Sequence, residues 1–204
     1  MAAFMGRMTF DCLPGATPLN SDESAGLIPK HIMTQSQLNE WEQSNILEAE
    51  KWMIGKKFSL PQIAAREFIC KFHRRMFGST WKWAGEFRKS NKKIGVDWLS
   101  VSASLKNLCD DLIFQITKNI FEINEAAMRF HHRLVLIHPF SNGNGRHARL
   151  MTDVILISQG NRRFNWGDSK AMTTPTVIRK NYIDALRAAD RGDYQPLKIF
   201  LGFL

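Results

Sequence analysis

The segment His138-Pro-Phe-Ser-Asn-Gly-Asn-Gly-Arg-His-Ala-Arg149 gathers a ring that titrates near neutrality, two glycines and two arginines. Pro139 must stop a preceding helix near His138, because proline disfavours the α conformation in the residue before it. The imidazole therefore sits at a helix end where a loop begins. Gly143 and Gly145 allow tight turns and a close backbone approach at the start of the next helix. The first amides of that helix lack intrahelical partners and its dipole favours anions, so Gly143, Asn144 and Gly145 read as a phosphate cradle. Arg146 lies in the first turn and Arg149 one turn later on the same side, two guanidinium forks over one anion. Together these groups suit phosphoryl or nucleotidyl transfer. No Gly-x-x-x-x-Gly-Lys-Ser/Thr run exists and no strand precedes the glycines, which argues against a P-loop or a dinucleotide fold. A zinc site of His131, His132 and His138 would lack both the His-Glu-x-x-His pattern and a cysteine partner.

The elements that must position this segment read as mostly α. Thr34 is placed to cap a helix running to about Ile54, with Leu38, Trp41, Ile46 and Trp52 facing a core and Glu40, Glu42, Glu48 and Glu50 making it acidic. Ser59, with Pro61 in the first turn, opens a second helix to about Phe77. Between Trp81 and Leu99 the pattern changes: turn-forming Ser90-Asn91 and Gly95 lie among Phe87, Ile94, Val96 and Trp98, which predicts a short β-hairpin. Helices resume over about 102–120 and 122–137, the latter with Ile123, Ala127, Phe130, Leu134 and Ile137 on one stripe. Two more cover about 145–159 and 176–189, and the apolar end, 197–204, docks on the core. Pro14-Gly15, Pro18, Gly26 and Pro29 make residues 11–33 an extended arm.

Composition narrows the class. A chain of 204 residues with 44% hydrophobic residues supports a sizeable core and excludes a disordered or disulfide-stapled chain. The longest apolar candidate, Leu150–Ile157, is broken by Thr152 and Asp153, so no membrane span is expected. The Met-rich residues 1–10 lack the apolar core and cleavage site of a secretory signal. Cys12, Cys70 and Cys109 are odd in number and widely spaced, as expected of free thiols in a reducing cytoplasm. Residues 1–50 carry two bases against seven acids, so against +9 overall the remainder carries +14. An acidic segment thus precedes a basic body, whose charge suits a phosphate site, a nucleic-acid surface or solubility alone.

The twelve-residue segment resembles the motif of the Fic (filamentation induced by cAMP) domain family, His-Pro-Phe-x-Asp/Glu-Gly-Asn-Gly-Arg-x-x-Arg, at every defined position except that Asn142 replaces the acid. Trp83-Ala-Gly-Glu-Phe-Arg88 is similar to the family's entry to its hairpin, and Tyr182 to Asp193 to the helix after the motif helix. The combination of Asn142 with Arg149 and the arm containing Gly26-Leu-Ile-Pro29 is most similar to the Fic branch called mobile mystery protein B. The resemblance implies a Fic-fold helical bundle with a short β-hairpin flap over residues 57–204, preceded by an arm, 1–33, and an acidic helix, 34–56.

It also implies a protein adenylyltransferase that moves AMP from ATP to a Tyr, Ser or Thr hydroxyl of a target protein. His138 would be the base, Gly143, Asn144 and Gly145 the anion hole, Arg146 the partner of the β-phosphate and Arg149 that of the γ-phosphate. The flap, with Lys93, Ile94, Gly95 and Val96, would dock the target strand. Asn142 stands where the family's acid binds Mg²⁺, which weakens the metal site and turnover. Many family members silence themselves with a helix reading Ser/Thr-x-x-x-Glu-Gly/Asn, whose Glu pairs with the second arginine. Here Ser36-Gln-Leu-Asn-Glu40 fits the first part, Trp41 breaks the second, and Glu42 is a rival; a solvated acidic face is the other reading. A nucleotide-binding pseudoenzyme and a phosphotransferase like the toxin Doc remain alternatives. A basic nucleic-acid-binding module is less favoured, for no helix-turn-helix, zinc-finger or RNP-type signature supports it.

Overall fold

The computed structural model describes residues 19–167 and 176–203. The readings made on residues 1–18, including Cys12, Pro14-Gly15 and Pro18, lie outside the described residues, as does Leu204. The chain opens with a single helical turn, α1 (Ser21–Ser24), closed by reciprocal hydrogen bonds between Asn20 and Glu23. Residues 26–28 then lie along residues 80–82: Ile28 N–H donates to Thr80 O at 2.8 Å, Lys82 N–H donates to Gly26 O at 2.9 Å, and Leu27 and Trp81 form an isolated antiparallel bridge.

The long acidic helix, α2 (Gln35–Met53), starts at Thr34, whose side chain accepts from Gln37 N–H while Gln37 reaches back. Leu38, Glu42, Ile46 and Ala49 make its buried stripe against α4. The expected helix 59–77 is two pieces, α3 (Leu60–Ile63) and α4 (Arg66–Phe77), because Ala64 and Ala65 leave helical geometry; the break buries both Ile63 and Ala64. On α4, Ile69, Phe72, His73, Met76 and Phe77 face inward at helical spacing.

The expected hairpin takes a different form. Among the described residues, 87–97 contain no strand ladder, and a short 3₁₀ turn follows at Trp98–Ser100. The carbonyls of Ser90 and Val96, one on each arm of the loop, accept from the Arg88 guanidinium rather than from each other's amides. The loop is therefore organised around a buried side chain and not by cross-strand pairing.

Helix α5 (Val101–Thr117) packs on α6 (Ile123–Ile137), and α6 on α7 (Asn144–Ser158). The described portion closes with α8 (Val177–Asp190) and α9 (Gln195–Leu201), which pack on each other, Leu197 and Leu201 being buried. α7 is the centre of the bundle, with ten buried residues among its fifteen. Cys70 and Cys109 are free thiols, and burial pushes the Cys109 thiol up to about 12. No helix among the described residues is long and apolar enough to cross a membrane.

Leu134 lies at 1% exposure on α6, within the central core. Truncating it leaves a cavity that a closely packed bundle cannot fill, so Leu134→Ala should lose about 2–5 kcal/mol of stability. Ile199→Ala, at a residue 64% exposed, should cost within about 0.5 kcal/mol. Urea denaturation of the two variants, compared at their midpoints, checks the order.

Candidate active site

The reversal from α6 to α7 takes residues 138–143 and uses two left-handed residues. His138 ends α6 at φ 53°, ψ 59°, and Gly143 precedes α7 at φ +77°. At Gly143 a Cβ would meet the Phe77 ring at 2.7 Å, so glycine is required by contact as well as by conformation. Between them, Asn144 clamps the loop: Phe140 N–H donates to Asn144 Oδ1 at 2.9 Å, and Asn144 Nδ2 donates to Phe140 O at 2.7 Å. Phe140 itself is fully buried and stacks on His73 with ring centroids 3.7 Å apart.

Helix α4 is the backing plate of this loop. Gly85 N–H donates to His73 Nδ1 at 3.0 Å, so in the neutral ring Nε2 carries the hydrogen and donates to Asn142 O at 3.1 Å. His147, one turn into α7, donates from Nε2 to Ile69 O at 3.1 Å. Burial holds His73 well below the ordinary histidine range and pushes His147 down to about 3, so both are neutral struts.

His138 is 6% exposed. Burial first, then the charges of Arg88 and Lys92, push its titration down to about 4, leaving a neutral ring at pH 7. Arg88, itself buried, donates from Nε to His138 O at 2.7 Å. Lys92 forms a buried ion pair with Glu23 of α1, which ties the first described turn of the chain to the 87–97 loop. Lys93, Ile94, Gly95 and Val96 lie on that loop, and Gly95 approaches so closely that a Cβ there would meet His138 Cβ at 2.8 Å.

The cationic side of the site is made by α7 and α8. The side chain of Asn144 is committed to Phe140, so what Gly143, Asn144 and Gly145 offer an anion is main-chain amide and space. Arg146 packs over the Phe77 ring at 5.0 Å, and Arg149 over Tyr182 at 5.7 Å. Burial, followed by the charges of its neighbours, lowers Arg149 and Arg179, and the guanidinium of Arg146 contributes to both shifts. Arg149 and Arg179, whose charged forms are disfavoured first by burial and then by like-charged neighbours, thus lie close to one another and to Arg146 on this side. Tyr182, which the motif reading omitted, bonds His131 Nε2 through its hydroxyl at 2.9 Å and contacts Arg149.

The acidic helix reaches this site through one residue. Glu42, 3% exposed, accepts from Arg146 Nη1 at 2.7 Å through one oxygen and from Trp81 Nε1 at 2.7 Å through the other. Glu40 is exposed beside Ser36. The expectation of an acid paired with Arg149 is thus met differently: the acid is Glu42 and its partner is Arg146. Glu42 follows Leu38 by one turn on the buried stripe, a spacing visible in the sequence, but its indole partner lies 39 residues away.

Asn142 is half-buried, and its Oδ1 accepts the N–H of Gly143 at 2.6 Å. Among the described residues no three His, Cys, Asp or Glu side chains are grouped to hold a metal ion. A hard divalent cation would therefore have the neutral Oδ1 of Asn142 as its protein oxygen near the loop and would depend on phosphate and water for the rest.

Residues 63–156 match the Fic/DOC family model. Among curated proteins, the chain is similar to protein adenylyltransferase fic-1 of Caenorhabditis elegans, 33% identical over 133 residues, covering 63% of this chain and 24% of that one. It is also similar to protein adenylyltransferase Fic of Aedes aegypti, 30% identical over 141 residues, covering 65% and 26%. The chain spans about a quarter of the length of these relatives. Among solved structures, BepC of Bartonella tribocorum superposes with a TM-score of 0.67 at 18% identity over 89% of this chain and 96% of that one. A fragment of C. elegans Fic-1 gives 0.63 at 24% identity, over 88% and 51%. At these identities the structures establish the shared helical fold.

The buried neutral histidines give the fold a defined pH dependence. His131 and His147 titrate at about 3 and His138 at about 4, all below the ordinary 6.5. Between those values the unfolded chain binds more protons, so stability is fully present above about 6.5 and is lost as pH falls towards 4. Asp153, raised to about 6 by burial, acts in the opposite direction but is a single group. Urea midpoints should hold from pH 7.5 to about 6.5 and fall from there to pH 4; a flat profile throughout would contradict neutral burial of these rings.

Proposed function

We propose that the chain is a protein adenylyltransferase, held in a resting state by Glu42 on Arg146. The observation that carries this reading is the convergence on one loop of a neutral buried His138, the N-terminus of α7 and the guanidiniums of Arg146 and Arg149. The names of the C. elegans and A. aegypti relatives support the activity, and the BepC structure, solved with bound AMPPNP, supports an adenine nucleotide as ligand. The triphosphate of ATP would lie over the amides of Gly143, Asn144 and Gly145, with Arg146 and Arg149 on its outer phosphates.

His138 takes the proton of a Tyr, Ser or Thr hydroxyl of the target. The oxygen then bonds the α-phosphorus as the bond to the β-phosphate oxygen breaks. Pyrophosphate leaves with its charge held by α7 and the arginines. In the resting protein His138 is weakly basic because it is buried and, after that, because Arg88 and Lys92 face it; the negative charge of a bound triphosphate would raise it towards neutrality. No main-chain hydrogen bond joins Lys93, Ile94 or Gly95 to another described residue, which suits a loop edge that pairs with a target strand. A Mg²⁺ ion held with the triphosphate by the Asn142 side-chain oxygen would supply charge neutralisation. The kinship with the mobile mystery protein B branch rests on Asn142, Arg149 and the Gly26-Leu-Ile-Pro29 arm, and a cytoplasmic setting on the free thiols.

A second reading is favoured by Asn142: a chain that binds nucleotide without turnover, since an amide whose oxygen is already engaged by Gly143 N–H attracts a hard cation poorly. Asn142→Asp separates the two. It should raise AMP transfer and lower the Mg²⁺ needed, and coincident metal titrations would remove Asn142 from the metal.

With α-labelled ATP, His138→Ala should lose about 10²–10⁴-fold in transfer while still binding ATP. Glu42→Gln, which keeps an acceptor for Trp81 but frees Arg146, should increase auto-modification, whereas Glu40→Gly should not. A His138→Ala protein transferring at the parental rate discards the base, and an unchanged Glu42→Gln rate discards the restraint.

A further inference from the structure

Arg88 is among the most deeply buried large side chains, at 2% exposure, and it forms no ion pair with a carboxylate among the described residues. Burial lowers its pKa, with Asp97 only partly offsetting the effect. A guanidinium taken out of water is expensive unless its donors are satisfied. Carbonyl oxygens satisfy this one, and their identity is informative. Nε donates to His138 O at 2.7 Å and Nη2 lies 3.5 Å from Ile137 O, while Arg88 main-chain N–H donates to Pro139 O at 2.9 Å. Three consecutive carbonyls at the end of α6 thus converge on one residue. The first, that of Ile137, belongs to the last turn of α6 and the other two to the reversal just past it, at the end where the helix dipole favours a cation. On its other side, Nη1 donates to Ser90 O at 2.8 Å and Nη2 to Val96 O, the two arms of the flap loop.

From this geometry we propose that Arg88 is the positioning residue for transfer, one guanidinium that fixes the left-handed peptide of His138 and the flap at a set distance from each other. The inference rests on the adenylyltransferase reading for its consequence but not for its geometry. Bound by a single rigid fork, the ring that accepts the proton and the loop that presents the hydroxyl cannot drift apart. Gly95 completes the fit, since a Cβ there would meet Arg88 Nη2 at 2.9 Å and His138 Cβ at 2.8 Å. Arg88 touches neither the hydroxyl nor the nucleotide, so its effect falls on turnover and not on ATP binding. Lysine cannot replace it, because a single ammonium on a flexible stem cannot span carbonyls on both sides.

The test compares Arg88→Met, Arg88→Lys and Gly95→Ala with the parent by two readouts. The first is the histidine ring spectrum against pH in the free protein. The charged groups facing His138 are Arg88 and Lys92, the latter paired with Glu23, and His131 and His147 serve as internal markers of an intact core. In Arg88→Met the His138 titration should move up from about 4 towards the ordinary 6.5, with the marker rings unmoved. The second is AMP incorporation: kcat should fall about 100-fold in all three variants, the loss expected for a misplacement of about 1 Å, with KM for ATP retained. If Arg88→Met fails to fold, Gly95→Ala carries the test, and displaced His138 resonances with lost kcat support the proposal. A folded Arg88→Met with the parental His138 titration, rescue of kcat by Arg88→Lys, or an unchanged His138 signal in Gly95→Ala would overturn it. Should the parent transfer no AMP, the adenylyltransferase reading fails while the ring titration still decides the role of Arg88.

Discussion

The chain reversal between α6 and α7 constrains everything around it. A helix must end, expose its last carbonyls, and start again within six residues, with its first amides turned to a ligand. Each open backbone group therefore needs a partner from elsewhere in the chain. Arg88 takes the carbonyls of residues 137–139, His73 donates to that of Asn142, and the Asn144 side chain takes both the amide and the carbonyl of Phe140. What is left for a ligand is the positive end of α7 and its arginines, because the competing internal demands are already met.

The same economy explains the acid on the site. Glu42 is buried against two donors, the Trp81 indole and the Arg146 guanidinium, so its charge is stabilised without water. Removing the guanidinium's claim on that carboxylate by supplying phosphate oxygens would leave Glu42 with the indole alone. In the proposed function the acid and the triphosphate compete for Arg146. In the proposed resting state, the helix that carries the restraining acid is also one that closes the core, through Leu38, Ile46 and Ala49.

Much of this was legible in the sequence where the signal is local. Pro139, Gly143 and the apolar stripe over residues 123–137 mark where α6 ends and α7 begins, and Thr34, expected as a cap, opens α2 in the structure. Long-range partnerships were not legible. The hairpin expectation over residues 81–99 failed because alternating apolar residues predict pairing, whereas a buried arginine absorbs the carbonyls that pairing would use. Likewise the spacing from Leu38 could place Glu42 rather than Glu40 on the buried stripe, but its partners, the indole 39 residues on and the arginine 104 residues on, were not legible. His73 carries no motif spacing of its own, and although Arg88 and Tyr182 fall in family-like segments, nothing local marks their parts, since each acts through a residue distant in the chain.

Which phosphorus reaches the acceptor decides between adenylyl and phosphoryl transfer. Glu42→Gln protein incubated with Mg²⁺ and ATP labelled at either the α- or the γ-phosphorus, then weighed intact by mass spectrometry, should gain the mass of AMP and the α-label only. Gain of a single phosphate carrying the γ-label, or no modification by a protein that binds ATP, would contradict adenylyl transfer.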